Sequence, residues 1–464
     1  MVMVAESVRT LKGFLALTDL EPLALGMVLR MVLALIWHRG RMSCSAAAGS
    51  VASETVPRGE LTRFLARPRW QKVDFNAPLR KALLAKEAQR GRFIFIVDAT
   101  LVSQAGAKTQ NTHSTGNRQR RPKQRRPKQR RPKQGRRYNA KHVVRKKCHT
   151  FTFGWLITPS GIRIPYQIPQ DTKEYCPQQG ITPRTTAESA AEMIRELPLP
   201  AGADVVVLGD TAYDADVVPQ ACRERGYIGI VPANPERVYE GSQGHRPQGR
   251  SRLKDGTRLS LKTIRLRMSA GKHAGYRRLS PWRIGPKQKP RVYDAHQERS
   301  AVRRVGDVQL VCSTTKPQLK TATPDDVKIL MTNALGMSLT EVIELDSLRW
   351  QIELFFQERK STLGFHQYRF QDFAAVRAWA EIALTTVLFL EYERAPHLTD
   401  RRAPPDARRW WQRQRLHGLC SGFRQASAGR ELKYLADRLK SARGIQKLKR
   451  LLTAALPNEY RTPA

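Results

Sequence analysis

Residues 347–360 read Ser347-Leu348-Arg349-Trp350-Gln351-Ile352-Glu353-Leu354-Phe355-Phe356-Gln357-Glu358-Arg359-Lys360, and the prediction of the fold depends most on this segment. Arg349, Glu353 and Lys360 are four and seven residues apart, so on a helix they project from roughly the same side. Two interpretations of Glu353 stay open: an ordinary helical salt bridge, or a carboxylate that binds a metal beside phosphate. The apolar residues that predict one continuous helix, at three- and four-residue steps, are Val342, Leu345, Leu348, Ile352, Phe355 and Phe356.

The composition indicates a folded protein with a polyanionic partner. A chain of 464 residues, 41% of them hydrophobic, is long enough for two or three domains. Its net charge of +42, with a pI near 10.8, requires a partner of opposite charge, and nucleic acid is the usual one. We find no lipid-anchor motif that would favour a membrane surface.

The cysteines and the first apolar run both favour an intracellular protein. The apolar run Leu23–Trp37 contains Arg30 and is too short to cross a bilayer, so we interpret it as a core helix and not as a signal peptide. We expect a cytoplasmic, nucleoid-associated protein without a zinc site or disulfide framework. The six dispersed cysteines, which include no Cys-x-x-Cys pair, are Cys44, Cys148, Cys176, Cys222, Cys312 and Cys420.

Two buried-strand patterns run into an aspartate. Five apolar residues, Phe93–Val97, precede Asp98, and the apolar run in Asp204–Leu208 is followed by Gly209 and Asp210. An acid at so apolar a strand is costly unless it is paired or binds a metal, although a turn residue or a helix cap is the alternative for Asp98. In a parallel arrangement, both acids would meet at the same edge of the sheet.

The elements between and after these acids alternate between strands and helices. We predict a hairpin from Cys148–Thr158 and Gly161–Ile168, and a capped helix at Thr186–Leu197. A short helix at Asp216–Arg225 and a strand at Tyr227–Val231 complete an α/β arrangement. Further elements are predicted at Val308–Cys312, at Val327–Met331 and, as a second long apolar helix that follows a helix stop at Gly364, at Ala374–Tyr392.

Two basic segments interrupt this pattern. From about residue 104 to 147 we predict an extended, mobile loop. In it the sequence Arg-Arg-Pro-Lys-Gln occurs three times in succession, and the first copy contains Arg120, Arg121 and Lys123. The repeats either attract phosphate without reading sequence or are an expansion without a selected role. Residues 234–322 form a β-rich basic insertion, in which Trp282 is either a base-stacking residue or a core tryptophan.

The two ends of the chain are interpreted as helical. The N-terminal region, with a break at Ser43–Ser53, is either a DNA-binding module or a plain helical cap. The C-terminal region, rich in arginine and containing Trp410 and Trp411, either contacts DNA or forms a dimer. The predicted segments are 1–88 (helical), 89–233 (first part of a catalytic domain), 234–322 (insertion), 323–395 (remainder of the catalytic domain) and 396–464 (helical).

Three acids therefore stand out for metal-dependent chemistry. Asp98, Asp210 and Glu353 cannot all ionise cheaply at one place without a cation, so their convergence would require a divalent metal. Two such ions catalyse in-line attack on a phosphodiester. The chain lacks a Walker-type loop, a His-Glu-x-x-His pair and a Gly-x-Ser-x-Gly motif, which removes support for NTPase, metalloprotease and α/β-hydrolase functions.

These residues resemble the motifs of the DDE transposases of bacterial insertion sequences, in particular the group with a Tyr-x2-Arg-x3-Glu-x6-Lys signature. Arg349, Glu353 and Lys360 match its last three positions, while Asp346 stands at the tyrosine position. Val97–Thr100 and Leu208–Asp214 look like the motifs of the first two catalytic aspartates. The resemblance, over roughly 90–370, implies a ribonuclease-H-like mixed sheet flanked by helices and interrupted by a β-rich insertion.

The resemblance also implies roles for individual residues. Asp98, Asp210 and Glu353 would hold two Mg²⁺ (or Mn²⁺) ions, and Arg349 and Lys360 would contact DNA phosphates. The implied reaction is cleavage at terminal inverted repeats, followed by attack of the freed 3′-hydroxyl on target DNA. The implied partners are double-stranded transposon ends and target, bound by a homodimer, with no membrane.

Three other functions remain open from the sequence. The first is a nuclease on the same fold that cuts without joining strands. The second is an inactive, transposase-derived DNA-binding protein. The third is a basic RNA-binding protein, for which we find no recognisable RNA-binding motif.

Overall fold

The structure of the protein is a computed structural model. The repeat residues Arg120, Arg121 and Lys123, the segment Leu261–Met268 and the tail residues Trp410 and Trp411 lie outside the part that it describes. The described residues are 5–37, 43–50, 57–68, 70, 74–104, 106, 108–118, 143–234, 237, 277–283, 290–315, 326–402, 406, 407, 409, 413–425 and 446.

One mixed sheet runs through the described part of the chain. Its strands are β1 (Phe93–Gln104), β2 (His113–Arg118), β3 (Val143–Ile157), β4 (Arg163–Pro169), β5 (Val205–Leu208), β6 (Ile228–Pro232), β7 (Arg277–Arg283), β8 (Pro290–Val302), β9 (Gly306–Thr314) and β10 (Lys328–Thr332). Their order in the sheet is β2-β3-β1-β5-β6-β10-β9-β8-β7, and β4 pairs with β3 outside this path.

The directions of the strands give a mixed α/β architecture. Strands β1, β5 and β6 are parallel, whereas β3 is antiparallel to β1 and β10 is antiparallel to β6. This arrangement is consistent with the ribonuclease-H-like fold expected from the sequence. The helices are α1 (Ala5–Leu15), α2 (Pro22–Trp37), α3 (Cys44–Ser50), α4 (Arg58–Ala66), α5 (Ala77–Leu84), α6 (Cys176–Gln179), α7 (Thr186–Arg195), α8 (Val217–Glu224), α9 (Leu339–Leu348), α10 (Trp350–Thr362) and α11 (Phe373–Thr399).

The elements around the first two acids form as predicted. The hairpin of β3 and β4 turns through Gly161, whose φ of +88° suits glycine, and Thr158 N–H donates to the Ile162 carbonyl over 2.9 Å. Helix α7 begins with a capping box, in which Thr185 and Glu188 satisfy each other's backbone N–H groups. Both features were readable from the sequence because each depends on neighbouring residues.

The strand that carries Asp98 continues beyond it. Phe95, Ile96 and Val97 are completely buried, as the apolar pattern predicts, and β1 then extends six residues past Asp98 to Gln104. Asp98 is therefore an internal strand residue, and its interpretation as a turn residue or helix cap is wrong.

The prediction of a loop for residues 104–147 is wrong near both ends of this range, where the chain forms strands. There β2 pairs in antiparallel register with the first residues of β3, from His113 opposite Cys148 to Arg118 opposite Val143. These strand residues could not be predicted from the sequence, because they lack the alternation of apolar and polar residues that marks a half-buried strand.

The strands of the segment interpreted as an insertion extend the same sheet. Strands β7, β8 and β9 form an antiparallel meander, and β9 pairs with β10, which pairs with β6. Val308–Cys312 and Val327–Met331 were predicted as strands, and both lie in this part of the sheet.

The single helix predicted over 347–360 is interrupted by a 3₁₀ turn at Arg349, between α9 and α10, although Arg349 itself keeps helical backbone angles. Arg349 N–H donates to the Asp346 carbonyl (3.1 Å) and Ile352 N–H to the Arg349 carbonyl (3.2 Å), which are the shorter three-residue bonds of a tight turn. Helix α9 packs on β6, β8 and β9, and α10 packs on β1. The turn thus lets two consecutive helices cover different strands.

The N-terminal helices pack against the long helix α11. Phe14 of α1 contacts Phe389 of α11, with ring centroids 5.7 Å apart, and the Asn76 amide beside α5 donates to the Glu381 carboxylate over 3.0 Å. Helix α2 is a buried core helix, as expected. The break predicted at Ser43–Ser53 is wrong, because α3 occupies most of it.

Helix α11 is the second long apolar helix that the sequence predicts, and it follows the expected helix stop at Gly364, whose φ is +62°. Within the described residues it is the one helix long and apolar enough to cross a membrane. The most apolar window of α11 is 83% buried inside the protein. The same apolar surface is therefore used to form the core between the N-terminal helices and β4.

Candidate active site

Asp98 lies inside β1, and Asp210 lies in the turn two residues past the end of the neighbouring parallel strand β5. In the β1–β5 register Ile96 pairs with Leu208, and each aspartate comes two residues later. Adjacent strands lie about 4.8 Å apart, so the two acids meet at one edge of the sheet. Asp210 also caps the 3₁₀ turn Thr211–Tyr213, because its Oδ1 accepts the Ala212 N–H over 2.8 Å.

Helix α10 brings Glu353 to the same side of the sheet. Phe153 lies opposite Asp98 on β3, and directly opposed residues project from the same face. The rings of Phe153 and Phe356 are 5.2 Å apart, so α10 packs on the face that carries Asp98. Glu353 also forms the helical salt bridge with Arg349, Nη1 to Oε1 at 3.1 Å. The pair therefore forms the ordinary helical salt bridge that the spacing allows. Glu353 also lies close to the other acids.

The electrostatics link the acids to one another. Burial raises the pKa of Asp98 to about 6, and the negative charges of Asp210 and Glu353 act in the same direction. The Ala99 N–H and the positive charge of Arg349 oppose this shift. Burial likewise raises the pKa of Tyr213, and the charges of Asp98 and Asp210 add to it. The carboxylates of Asp210 and Glu353 are therefore close enough to Asp98 for their negative charges to act on it.

The donor set suits a hard divalent cation. Carboxylate oxygens are the ligands that Mg²⁺ and Mn²⁺ prefer, and a cation would relieve the repulsion that raises the pKa of Asp98. In the described ranges, however, no three His, Cys, Asp or Glu side chains already surround a common ion position. The carboxylates of the three acids are suitable ligands for such a metal. Asp210 also caps the 3₁₀ turn, and Glu353 also forms the salt bridge with Arg349.

Lys360 lies beside Asp98 on the same face of β1. Its Nζ donates to Thr100 Oγ1 over 2.7 Å and to the Leu101 carbonyl over 3.2 Å. Burial lowers the pKa of Lys360. The structure thus places Arg349 and Lys360 on the acid side of the sheet, as their spacing in the sequence predicts.

Asp346, at the position where the signature has tyrosine, pairs with another element. Its carboxylate forms a salt bridge with Lys328 of β10. That contact joins α9 to the sheet.

The side chains of the other predicted DNA-contacting residues lie outside the described residues. Only the backbone of Trp282 is described, in β7 opposite Arg291, next to an irregularity in the pairing with β8. Its two interpretations, base stacking and core packing, therefore stay predictions.

A buried ion pair that no sequence pattern predicts lies beside the second acid. Asp214, four residues after Asp210, accepts hydrogen bonds from Arg237 Nε (2.8 Å) and from the Asn234 backbone N–H (2.6 Å). Arg237 also bonds Asp216 over 3.0 Å. Burial raises the pKa of Asp214, and the guanidinium of Arg237 opposes that shift. These bonds hold the chain that leaves β6 against the turn that carries Asp210.

Arg237→Met is expected to lower the free energy of unfolding by about 3 kcal/mol, because it leaves the buried carboxylate of Asp214 uncompensated. The measurement is urea unfolding followed by circular dichroism. The control is Arg195→Met, which removes an exposed pair with Glu224 and should cost less than about 1 kcal/mol. Equal losses in the two variants would contradict a special role for the buried pair.

Comparison with known families agrees with this geometry. Residues 180–389, a little under half of the chain, match the family model described as the transposase DDE domain. The match supports a DDE transposase family. It includes Asp210 and Glu353, whereas Asp98 precedes it. A comparison with curated proteins finds no match.

Proposed function

We propose that this protein is a DNA transposase that cleaves the ends of its element and joins the freed 3′-hydroxyl to target DNA. The observation that carries the proposal is that Asp98 of β1 lies beside Asp210, which directly follows the adjacent parallel strand β5, and that the charges of both Asp210 and Glu353 act on Asp98. The family match and the net charge of +42 support DNA as the substrate.

In this proposal Asp98, Asp210 and Glu353 hold two Mg²⁺ or Mn²⁺ ions. When bound, such ions activate a water or a 3′-hydroxyl and stabilise the leaving oxygen of the phosphodiester. Asp98 lies on a strand and Glu353 on a helix that packs on the same face, while Asp210 lies in the turn after β5 and is fixed there by its hydrogen bond from the Ala212 N–H.

The two basic residues orient the acids and the substrate. Arg349 holds Glu353 through its salt bridge, and its positive charge also acts on Asp98. Lys360 uses two of its three ammonium protons on Thr100 and Leu101, so the third remains for a phosphate oxygen. We further propose that two copies act together, because an element has two ends to be cut.

The test is cleavage of a labelled duplex that carries the DNA flanking the coding sequence. We expect nicking at the boundary of a terminal repeat in Mg²⁺, no nicking in Ca²⁺ or EDTA, and joining of the cut 3′ end to a target plasmid. A duplex with scrambled ends is the control. Cutting without joining would indicate a nuclease, and tight, salt-sensitive binding without cutting in any metal would indicate an inactive DNA-binding protein.

A further inference from the structure

The segment that joins α10 to α11 presents cations at fixed positions. Phe365 and Tyr368 are buried to within 2% and anchor the segment, the latter through a 2.9 Å hydrogen bond between its hydroxyl and His149 Nδ1. His366 lies between these two anchors and Arg369 directly follows Tyr368, and both side chains are exposed. The alternation of buried aromatic and exposed basic residues therefore holds the basic residues in place.

These basic residues lie close to Lys360 and carry an uncompensated charge. Burial lowers the pKa of His366, and the positive charges of Lys360 and Arg369 act in the same direction. Across the ranges that the structure describes, none of the three forms a salt bridge with a carboxylate. The guanidinium of Arg369 donates to the Tyr368 carbonyl of its own segment (3.1 Å). Because the lowered pKa leaves His366 mostly neutral at pH 7, Lys360 and Arg369 are the two cations of this group, and cations without carboxylate partners suit an anionic ligand.

The strand register gives their place relative to the acids. Lys360 bonds Thr100, which is two residues beyond Asp98, or about 7 Å along the strand. Tyr368 bonds His149, which lies opposite Val102, so the segment of Arg369 lies about 13 Å beyond Asp98. B-form DNA advances about 3.4 Å per nucleotide, so these distances correspond to roughly two and four nucleotides.

We propose that Arg369 binds a backbone phosphate of the DNA and thereby extends the Lys360 contact away from the acids. This inference rests on the proposed function, since it requires DNA at Asp98. It adds a contact that lies outside the Arg-x3-Glu-x6-Lys spacing. The path of the bound strand then runs from Asp98 past Lys360 and over the segment between α10 and α11.

The test measures the salt dependence of binding by fluorescence anisotropy in EDTA, with a labelled duplex that the wild type cleaves in Mg²⁺. If the wild type cleaves no duplex, the proposed function fails before any variant is made. We expect Arg369→Ala to reduce the slope of log K against log salt by about 0.9, the value of one phosphate contact. Arg369→Lys, which keeps the charge, should restore most of the slope.

The matched control is Arg90→Ala. Arg90 is also exposed, but it precedes β1 and lies at the opposite edge of the sheet from Asp98. Its removal should leave the slope unchanged. If Arg369→Ala has the same slope of log K against log salt as the wild type, and the wild type cleaves the duplex, the inference is overturned. The proposed function would then still stand. An equal loss of slope in the Arg90 variant would overturn it too, because the effect would then be one of overall charge.

Discussion

Asp98→Asn is expected to abolish metal-dependent DNA cleavage while it stabilises the metal-free protein. Loss of a metal ligand removes several kcal/mol of transition-state stabilisation, so cleavage should fall by roughly a thousandfold or more. DNA binding should stay nearly intact, because the basic surface is unchanged. The cleavage assay in Mg²⁺ and the anisotropy assay in EDTA measure these two effects separately.

The gain in stability follows from the pKa of Asp98. Burial, together with the carboxylates of Asp210 and Glu353, raises that pKa from 3.8 to about 6. Because the folded pKa is the higher one, stability from this group is fully present below pH 3.8 and is lost as pH rises through about 6. At pH 7.5 the ionised side chain costs the fold up to about 3 kcal/mol.

Urea unfolding in EDTA should therefore show Asp98→Asn to be more stable than the wild type by about 1–2 kcal/mol at pH 7.5. Below pH 4 the gain should disappear. Mg²⁺ should stabilise the wild type, which binds it in the folded state, more than it stabilises the variant.

Asp204→Asn is the matched control for Asp98→Asn. Asp204 lies before β5 at the other edge of the sheet and forms a half-exposed salt bridge with Arg92. It should leave cleavage unchanged and change stability by less than about 1 kcal/mol. Wild-type cleavage by Asp98→Asn, or its destabilisation without metal, would contradict the assignment of Asp98 to a repelling group of acids.

Glu391→Gln is expected to have the largest effect on the fold itself. Glu391 on α11 is 1% exposed and lies between the partly buried Arg163 and the buried Arg394, with Arg163 Nε 2.8 Å from its Oε1 and Arg394 Nε 2.9 Å from its Oε2. The neutral amide removes the negative charge that both guanidinium groups contact. The free energy of unfolding should fall by about 3–5 kcal/mol.

The same cluster predicts a sensitivity to acid. Burial raises the pKa of Glu391, but the positive charges and hydrogen bonds of Arg163 and Arg394 outweigh burial and lower it below the ordinary value of 4.5. The stability that Glu391 contributes is therefore present above pH 4.5 and is lost as pH falls through the lower, folded pKa.

Urea unfolding of the wild type and of Glu391→Gln, measured between pH 7 and pH 3, checks both statements. The difference between the two proteins should shrink below pH 4.5. Glu224→Gln, which removes an exposed pair with Arg195, is the control and should cost less than about 1 kcal/mol. A difference that stays constant down to pH 3 would mean that Glu391 does not carry the charge of the cluster.

The two buried clusters also explain how the described parts of the chain support the acids. Asp214 and Arg237 join the turn after β5 to the chain that leaves β6, and Glu391 joins α11 to the hairpin of β3 and β4 through Arg163. Each cluster links elements distant in sequence.

The local elements and the candidate acids could be predicted from sequence patterns. The apolar run before Asp98, the run before Asp210 and the capping residues of α7 each depend on neighbours in the chain, so their patterns could be read directly. The spacing of Arg349 and Glu353 was also readable, and their salt bridge is present. Net charge indicated a polyanionic partner without reference to any fold.

How these elements pack against one another depends on contacts between distant parts of the chain. The turn at Arg349 exists because α9 and α10 pack on different strands, and the periodicity of either helix carries no information about its partner. The pairing of Asp214 with Arg237, and the approach of Arg369 to Lys360, join residues that are distant in sequence or separated by a turn. Such contacts result from the packing of the whole chain, in which burial outweighs local preference.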